Sequence, residues 1–197
     1  MSRDDTRGDP LTAGLAVNPV AGMGGRVGLK GTDGVVERAL EKGARPVAPS
    51  RAALMLRELM KAGGHGRMRW LTCSGDMGAE SFKKADFERT AYKIVHEGSG
   101  QQSSANDTKG ACEAFLREGA DIIVFCGGDG TARDVLDAVG LKVPVLGIPS
   151  GVKMHSGVFA VDPASAAGVL LDFAGGRLGS EEVEVLDLDE ERYRRGE

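Results

Sequence analysis

Short apolar runs recur along the chain, and between them lie longer stretches in which apolar residues return every three or four positions. The first pattern belongs to strands buried inside a sheet, the second to helices that cover it. Runs at residues 15–17, 67–73, 91–95, 121–126 and 144–148 predict strands. The clearest is 121–126, where Ile122, Ile123, Val124 and Phe125 stand together before Cys126. Helices are predicted over residues 51–61 behind Ser50 as N-cap, and within 75–85 after a loop. Further helices are predicted from the capping box of Ser104 and Asp107 to residue 118, over 132–139, and over 163–174 with Asp162 as N-cap and Pro163 at the first position. Thr32 or Asp33 can cap one more short helix, ending at Lys42. Residues 181–188 alternate apolar with acidic, which predicts a half-exposed strand.

Strand and helix therefore alternate, which predicts an α/β fold, a mostly parallel sheet with helices on both faces. Residues 1–12 are polar and charged and read as a flexible tail, and 13–180 as one α/β nucleotide-binding domain. Residues 181–197 break the rhythm with a strand followed by a charged stretch. They read as the start of a second, β-rich domain that is mostly absent, or as a frayed tail.

Composition narrows the class. With 41% hydrophobic but only 5% aromatic residues, Val, Leu, Ile and Ala must build most of the core. A formal net charge of −4 argues against nucleic acid as the main partner, because a phosphate backbone calls for a basic face. No run is long enough to span a bilayer, and residues 1–10 lack the apolar centre of a secretory signal. Cys73, Cys112 and Cys126 are too scattered for a metal site, and Cys126 ends a strand as a small core residue. These features point to a reducing cytoplasm.

Many of the 30 glycines sit in short clusters between the apolar runs, and three of these clusters follow predicted strands. Gly127, Gly128, Asp129, Gly130 and Thr131 follow the clearest strand and lead into a helix. Glycines leave backbone N–H groups uncovered, and the helix N-terminus adds its positive dipole end, so the turn favours a phosphate. A carboxylate at its tip opposes phosphate unless it holds a divalent cation or accepts a proton from an attacking hydroxyl. The alternative reading is an ordinary glycine turn with an aspartate cap. A second loop runs from Asn18 through Gly22, Gly24 and Gly25 to Gly31, where Arg26 and Lys30 are candidate phosphate contacts. It matches neither a Walker A loop nor a dinucleotide-binding fingerprint. A third loop, at 147–157, carries Lys153, His155 and Ser156 among small residues; His155 reads as a general base, a phosphate contact or a structural hydrogen-bond partner. Following strands of one parallel sheet, all three loops are expected on the same ligand-binding edge.

These residues resemble the NAD kinase superfamily, which is related to the diacylglycerol and sphingosine kinases. Gly127 to Thr131 matches its Gly-Gly-Asp-Gly-Thr signature, and Asn18-Pro19 with Gly22 and Gly24 matches its Asn-Pro-x-x-Gly-x-Gly loop. The stretches 18–34 and 147–159 look most like the ATP-NAD/AcoX kinase branch. The resemblance implies transfer of a phosphate from ATP, or from polyphosphate in some members, to the adenosine 2′-hydroxyl of NAD, with Mg²⁺ as the divalent cation. It implies Asp129 as the catalytic aspartate and a possible metal contact. Gly127, Gly128, Gly130 and Thr131 would bind phosphate, Asn18, Gly22, Gly24 and Gly25 would approach it, and Lys153, His155 and Ser156 would line the cleft. It implies NAD and ATP as partners, no membrane, and a possible homo-oligomer. Family members carry a second, β-rich domain that supplies much of the dinucleotide site, so the chain is expected to be incomplete, with little activity alone. A non-catalytic nucleotide-binding module and a lipid kinase domain are the alternatives.

Overall fold

The computed structural model describes residues 9–23, 43, 45–64, 66–99, 103–152 and 154–186. The helix expected to end at Lys42 and the charged stretch after residue 186 lie outside them, as do Gly24, Gly25, Arg26, Lys30 and Lys153. Five strands, β1 (Leu11–Val17), β2 (Met68–Cys73), β3 (Tyr92–His96), β4 (Ile122–Gly127) and β5 (Val145–Pro149), form one sheet in the order β3-β2-β1-β4-β5. Every pairing is parallel, so the expected α/β architecture is present. β1 begins at Leu11, inside the stretch expected to be a tail, because the Leu11 and Thr12 amides are both satisfied. Leu11 N–H donates to the Arg67 carbonyl at 3.0 Å and Thr12 N–H to Asp121 Oδ2 at 2.8 Å.

The helices are α1 (Ala48–Lys61), α2 (Ala79–Lys84), α3 (Ala105–Arg117), α4 (Asp129–Val139) and α5 (Pro163–Ala174). They divide between the two faces of the sheet. Side chains alternate along each strand: Ala13, Leu15 and Val17 of β1 join Ile122, Val124 and Cys126 of β4 under α1, α2 and α5. Ala16, Ile123 and Phe125 point the other way, into a core with Ala111, Cys112 and Phe115 of α3 and Ala132, Val135 and Val139 of α4. Two buried faces explain why β4 is apolar at every position. Trp70, Phe82, Phe87 and Tyr92 cluster at the β2–β3 edge, where Phe82 stacks on Tyr92 at 4.5 Å and meets Trp70 edge-on at 5.5 Å.

Three element boundaries differ from expectation, for local reasons. α1 starts at Ala48 with Val47 as its cap; Pro49 sits in the first turn, where its fixed φ and missing N–H cost nothing, and Ser50 makes no capping bond. α4 starts at Asp129, three residues early, so Gly130 and Thr131 belong to its first turn. Residues 181–186 join no ladder, so the expected strand is absent from the described part of that segment. Its backbone instead bonds to a loop: Gly157 N–H donates to the Glu184 carbonyl at 2.9 Å, and Leu186 N–H donates to Ser156 Oγ at 3.1 Å.

The start of α3 follows the sequence closely. Ser104 donates to Asp107 Oδ2 from both its N–H and its hydroxyl at 2.8 Å, and the Ser99 hydroxyl donates to Oδ1 at 2.5 Å. Partial burial pushes the Asp107 carboxyl up, but the hydrogen bonds from Ser99 and Ser104 outweigh it and hold it below its ordinary value. A carboxyl lowered on folding stabilises fully above its unfolded value of about 3.9 and loses that contribution as pH falls through the folded value. Asp107→Ala should therefore cost about 0.5–1 kcal/mol at neutral pH for this exposed cap. The difference should shrink between about pH 5 and pH 2. Urea unfolding of both forms across that range checks it, and a gap that grows towards acid contradicts the assignment.

Candidate active site at the β1–β4 crevice

Val17 and Cys126 are paired at the ends of β1 and β4, and the sheet order runs outward from this pair in opposite directions. In open parallel sheets, the crevice at such a reversal is where ligands bind. Asn18, the first residue beyond β1, ties the two strands together. Its N–H donates to the Cys126 carbonyl at 2.9 Å, and its side-chain amide donates to Thr131 Oγ1 at 3.0 Å. Asn18 Oδ1 accepts from Val20 N–H at 3.2 Å, which curls the chain into the glycine loop. The Thr131 hydroxyl, accepting from Asn18, keeps its own proton to donate.

The glycine loop closes on the loop after β5. Gly22 has φ +79°, and a Cβ there would stand 2.3 Å from the Ser150 carbonyl oxygen, so no other residue fits without displacement. Ser150 N–H in turn donates to the Gly127 carbonyl at 2.9 Å. Gly127 is required because Thr131 packs against it; a Cβ would lie 2.5 Å from the Thr131 side chain. The three loops picked out by composition thus meet through Asn18, Gly22, Gly127, Thr131 and Ser150.

Asp129 is the first residue of α4, half-buried at the carboxyl edge of the sheet. Its carboxylate accepts from His155 N–H at 3.2 and 3.1 Å, from Ser156 N–H at 2.8 Å and from the Ser156 hydroxyl at 2.5 Å. Two charge-assisted backbone donors and a hydroxyl fix the side chain in place. His155 contributes through its backbone amide, and the residue is exposed, so the contact seen is neither a general base nor a side-chain phosphate contact. Ser156 is buried and joins three segments, because its hydroxyl oxygen also accepts from Leu186 N–H. Gly128 and Gly130 leave the first turn of α4 uncovered, with open space where a Gly130 Cβ would stand.

Beside this network lies a cleft of about 400 Å³ lined by Pro149, Met154, Ser156, Phe159 and Val161 and, from α1, Arg51. Arg51 gave no sign of itself in the sequence, where it reads as one polar position of an amphipathic helix. Only the packing of α1 against the β5 side of the sheet brings it to the site. Among the described residues no three His, Cys, Asp or Glu side chains gather to hold a metal. The three cysteines are unpaired and buried, with burial as the chief cause pushing each thiol up to about 12, so they stay neutral.

A doubly wound parallel sheet whose reversal point carries a Gly-Gly-Asp-Gly-Thr turn at a helix N-terminus is a kinase-type nucleotide-binding domain. The chain matches the ATP-NAD kinase N-terminal domain family over residues 14–178, and it belongs to that family. No curated protein and no solved structure gave a match to it. Among the described residues no helix is long and apolar enough to cross a membrane.

Gly22 and Gly130 separate two uses of glycine. Gly22→Ala forces a Cβ against Ser150 at positive φ and should destabilise by about 1–3 kcal/mol. Gly130→Ala meets open space inside a helix and should be neutral or stabilising by up to about 1 kcal/mol. Thermal and denaturant unfolding of the two variants tests the contrast, and equal losses would show that the described Gly22–Ser150 contact does not hold the loop.

Proposed function

We propose that the chain is the nucleotide-binding part of an ATP-dependent NAD kinase-like phosphotransferase, which phosphorylates the adenosine 2′-hydroxyl of NAD to give NADP. The observation that carries the reading is the placement of Asp129. It stands at the edge of the crevice, at the N-terminus of a helix whose first amides suit phosphate, with its carboxylate oriented by the amides of residues 155 and 156. A carboxylate so fixed can accept or orient the proton of an attacking hydroxyl, and fixing it beforehand lowers the cost of reaching a productive geometry. Gly127, Gly128, Gly130 and Thr131 bind phosphate in this reading, and Asn18 sets the Thr131 hydroxyl towards it.

Mg²⁺ is commonly held by one or two carboxylates together with phosphate oxygens and water. Asp129 supplies one carboxylate, so the donor set suits an ion that arrives with its nucleotide. The cation would neutralise charge on the transferring group. In this reading, residues 181–197 are the start of the second, β-rich domain. A reducing cytoplasm suits the three unpaired cysteines.

A second reading, a non-catalytic nucleotide-binding module, is favoured by the same hydrogen bonds: the Asp129 carboxylate is already engaged by residues 155 and 156. Asp129→Asn separates the two, because the amide oxygen still accepts those bonds while the negative charge is gone. Catalysis predicts that NADP formation from NAD, ATP and Mg²⁺ falls at least about 100-fold while ATP binding is kept. Turnover at the native rate in the variant removes the catalytic role. ATP binding without NADP formation in either form supports the module.

A further inference from the structure

Among the described residues, one cationic side chain lines the cleft beside Asp129. Arg51 lines it from the first turns of α1, together with Pro149, Met154, Ser156, Phe159 and Val161. The Arg51 Nε is buried and has no hydrogen-bond partner among the described residues. A buried donor left unpaired is costly, and such a group in a native fold calls for an explanation, an absent ion among them. The Ser150 hydroxyl, on the residue between the lining residues Pro149 and Gly151, is likewise buried and without a partner among the described residues. The exposed Asp162 is near enough to feel Arg51, whose charge adds a little to the lowering caused chiefly by hydrogen bonds from Ser165. No ion pair joins Arg51 to it among the described residues. Apart from Arg51 and Ser156 the described wall residues are apolar or contribute backbone, and Val152 and Val161 among them are almost fully exposed, 98% and 88%.

We infer that Arg51 is the anion-recognition residue of this cleft and takes a phosphate group of a nucleotide whose apolar part rests on the walls around Met154, Phe159 and Val161. A guanidinium offers a planar fork that matches phosphate oxygens, and a dry apolar wall strengthens that bond. Ser156 both lines the cleft and holds Asp129, so a phosphate at Arg51 lies in a space continuous with the proposed reaction site. Naming the ligand a nucleotide rests on the proposed function; the anion site itself does not.

Inorganic pyrophosphate and adenosine, titrated separately by calorimetry into the native chain, Arg51→Gln and Arg51→Lys, test it. The native chain should bind both. Arg51→Gln should weaken pyrophosphate roughly 10- to 100-fold and leave adenosine unchanged, and Arg51→Lys should recover part of the loss as a point charge. Arg51→Gln should also melt no lower than the native chain, since it removes an unpaired buried donor. Unaltered pyrophosphate binding in Arg51→Gln overturns the inference, as does a native chain that binds no pyrophosphate. A lower melting point with equal loss of both probes overturns it too, because the arginine is then structural. A chain that binds pyrophosphate through Arg51 yet binds no ATP keeps this anion site and removes the nucleotide reading. NADP formation with Arg51→Gln unimpaired does the reverse.

Discussion

Val17 and Cys126 stand side by side at the ends of β1 and β4, and the loops leaving them share one crevice because the sheet continues from this pair in opposite directions. Everything at the site depends on that adjacency. Asn18 turns it into a hydrogen-bonded joint, with its backbone on β4 and its side chain on Thr131. The joint sets the first turn of α4, and that turn sets Asp129. Register in a parallel sheet buried on both faces is strongly specified, because a slip of one residue would exchange the two cores.

Asp129 shows how one charged side chain can both begin a helix and tie distant segments together. As the first residue of α4 it has a favourable place near the positive end of the helix dipole. By accepting from residues 155 and 156 it also ties the loop after β5 to the turn after β4. Ser156 extends the tie to Leu186, so the segment at 181–186 is anchored through the site and not through the sheet. The same few bonds thus order the β5 loop and shape one wall of the cleft that Arg51 closes.

Much of the fold was legible along the chain. The five strands were visible as short apolar runs, most plainly Ile122 to Phe125, because a strand buried on both faces has no polar position to blur it. Asp162 with Pro163, and Ser104 with Asp107, marked helix starts through capping chemistry that acts within four residues. Starts without such chemistry were misplaced: Ser50 looks like a cap, yet Pro49 already fits the helix. The alternation at 181–188 looked like a strand, but a strand exists only where a neighbour offers its backbone, and no local pattern encodes the neighbour.

The glycine-rich loops and the Gly-Gly-Asp-Gly-Thr turn were likewise readable from residue order, since glycine spacing and a helix start are local properties of the chain. So was the family, to which the same motifs belong. Which atoms meet was not readable. That Gly22 lies against Ser150, that His155 offers Asp129 its amide and not its ring, and that Arg51 stands in the cleft all depend on segments far apart in sequence. The chain by itself determined an alternating α/β fold and a glycine-rich strand-to-helix turn, because backbone conformation and side-chain period are set within a few residues. Only the tertiary structure decided which side chains face that turn, because strand order and helix packing bring distant residues within hydrogen-bonding reach.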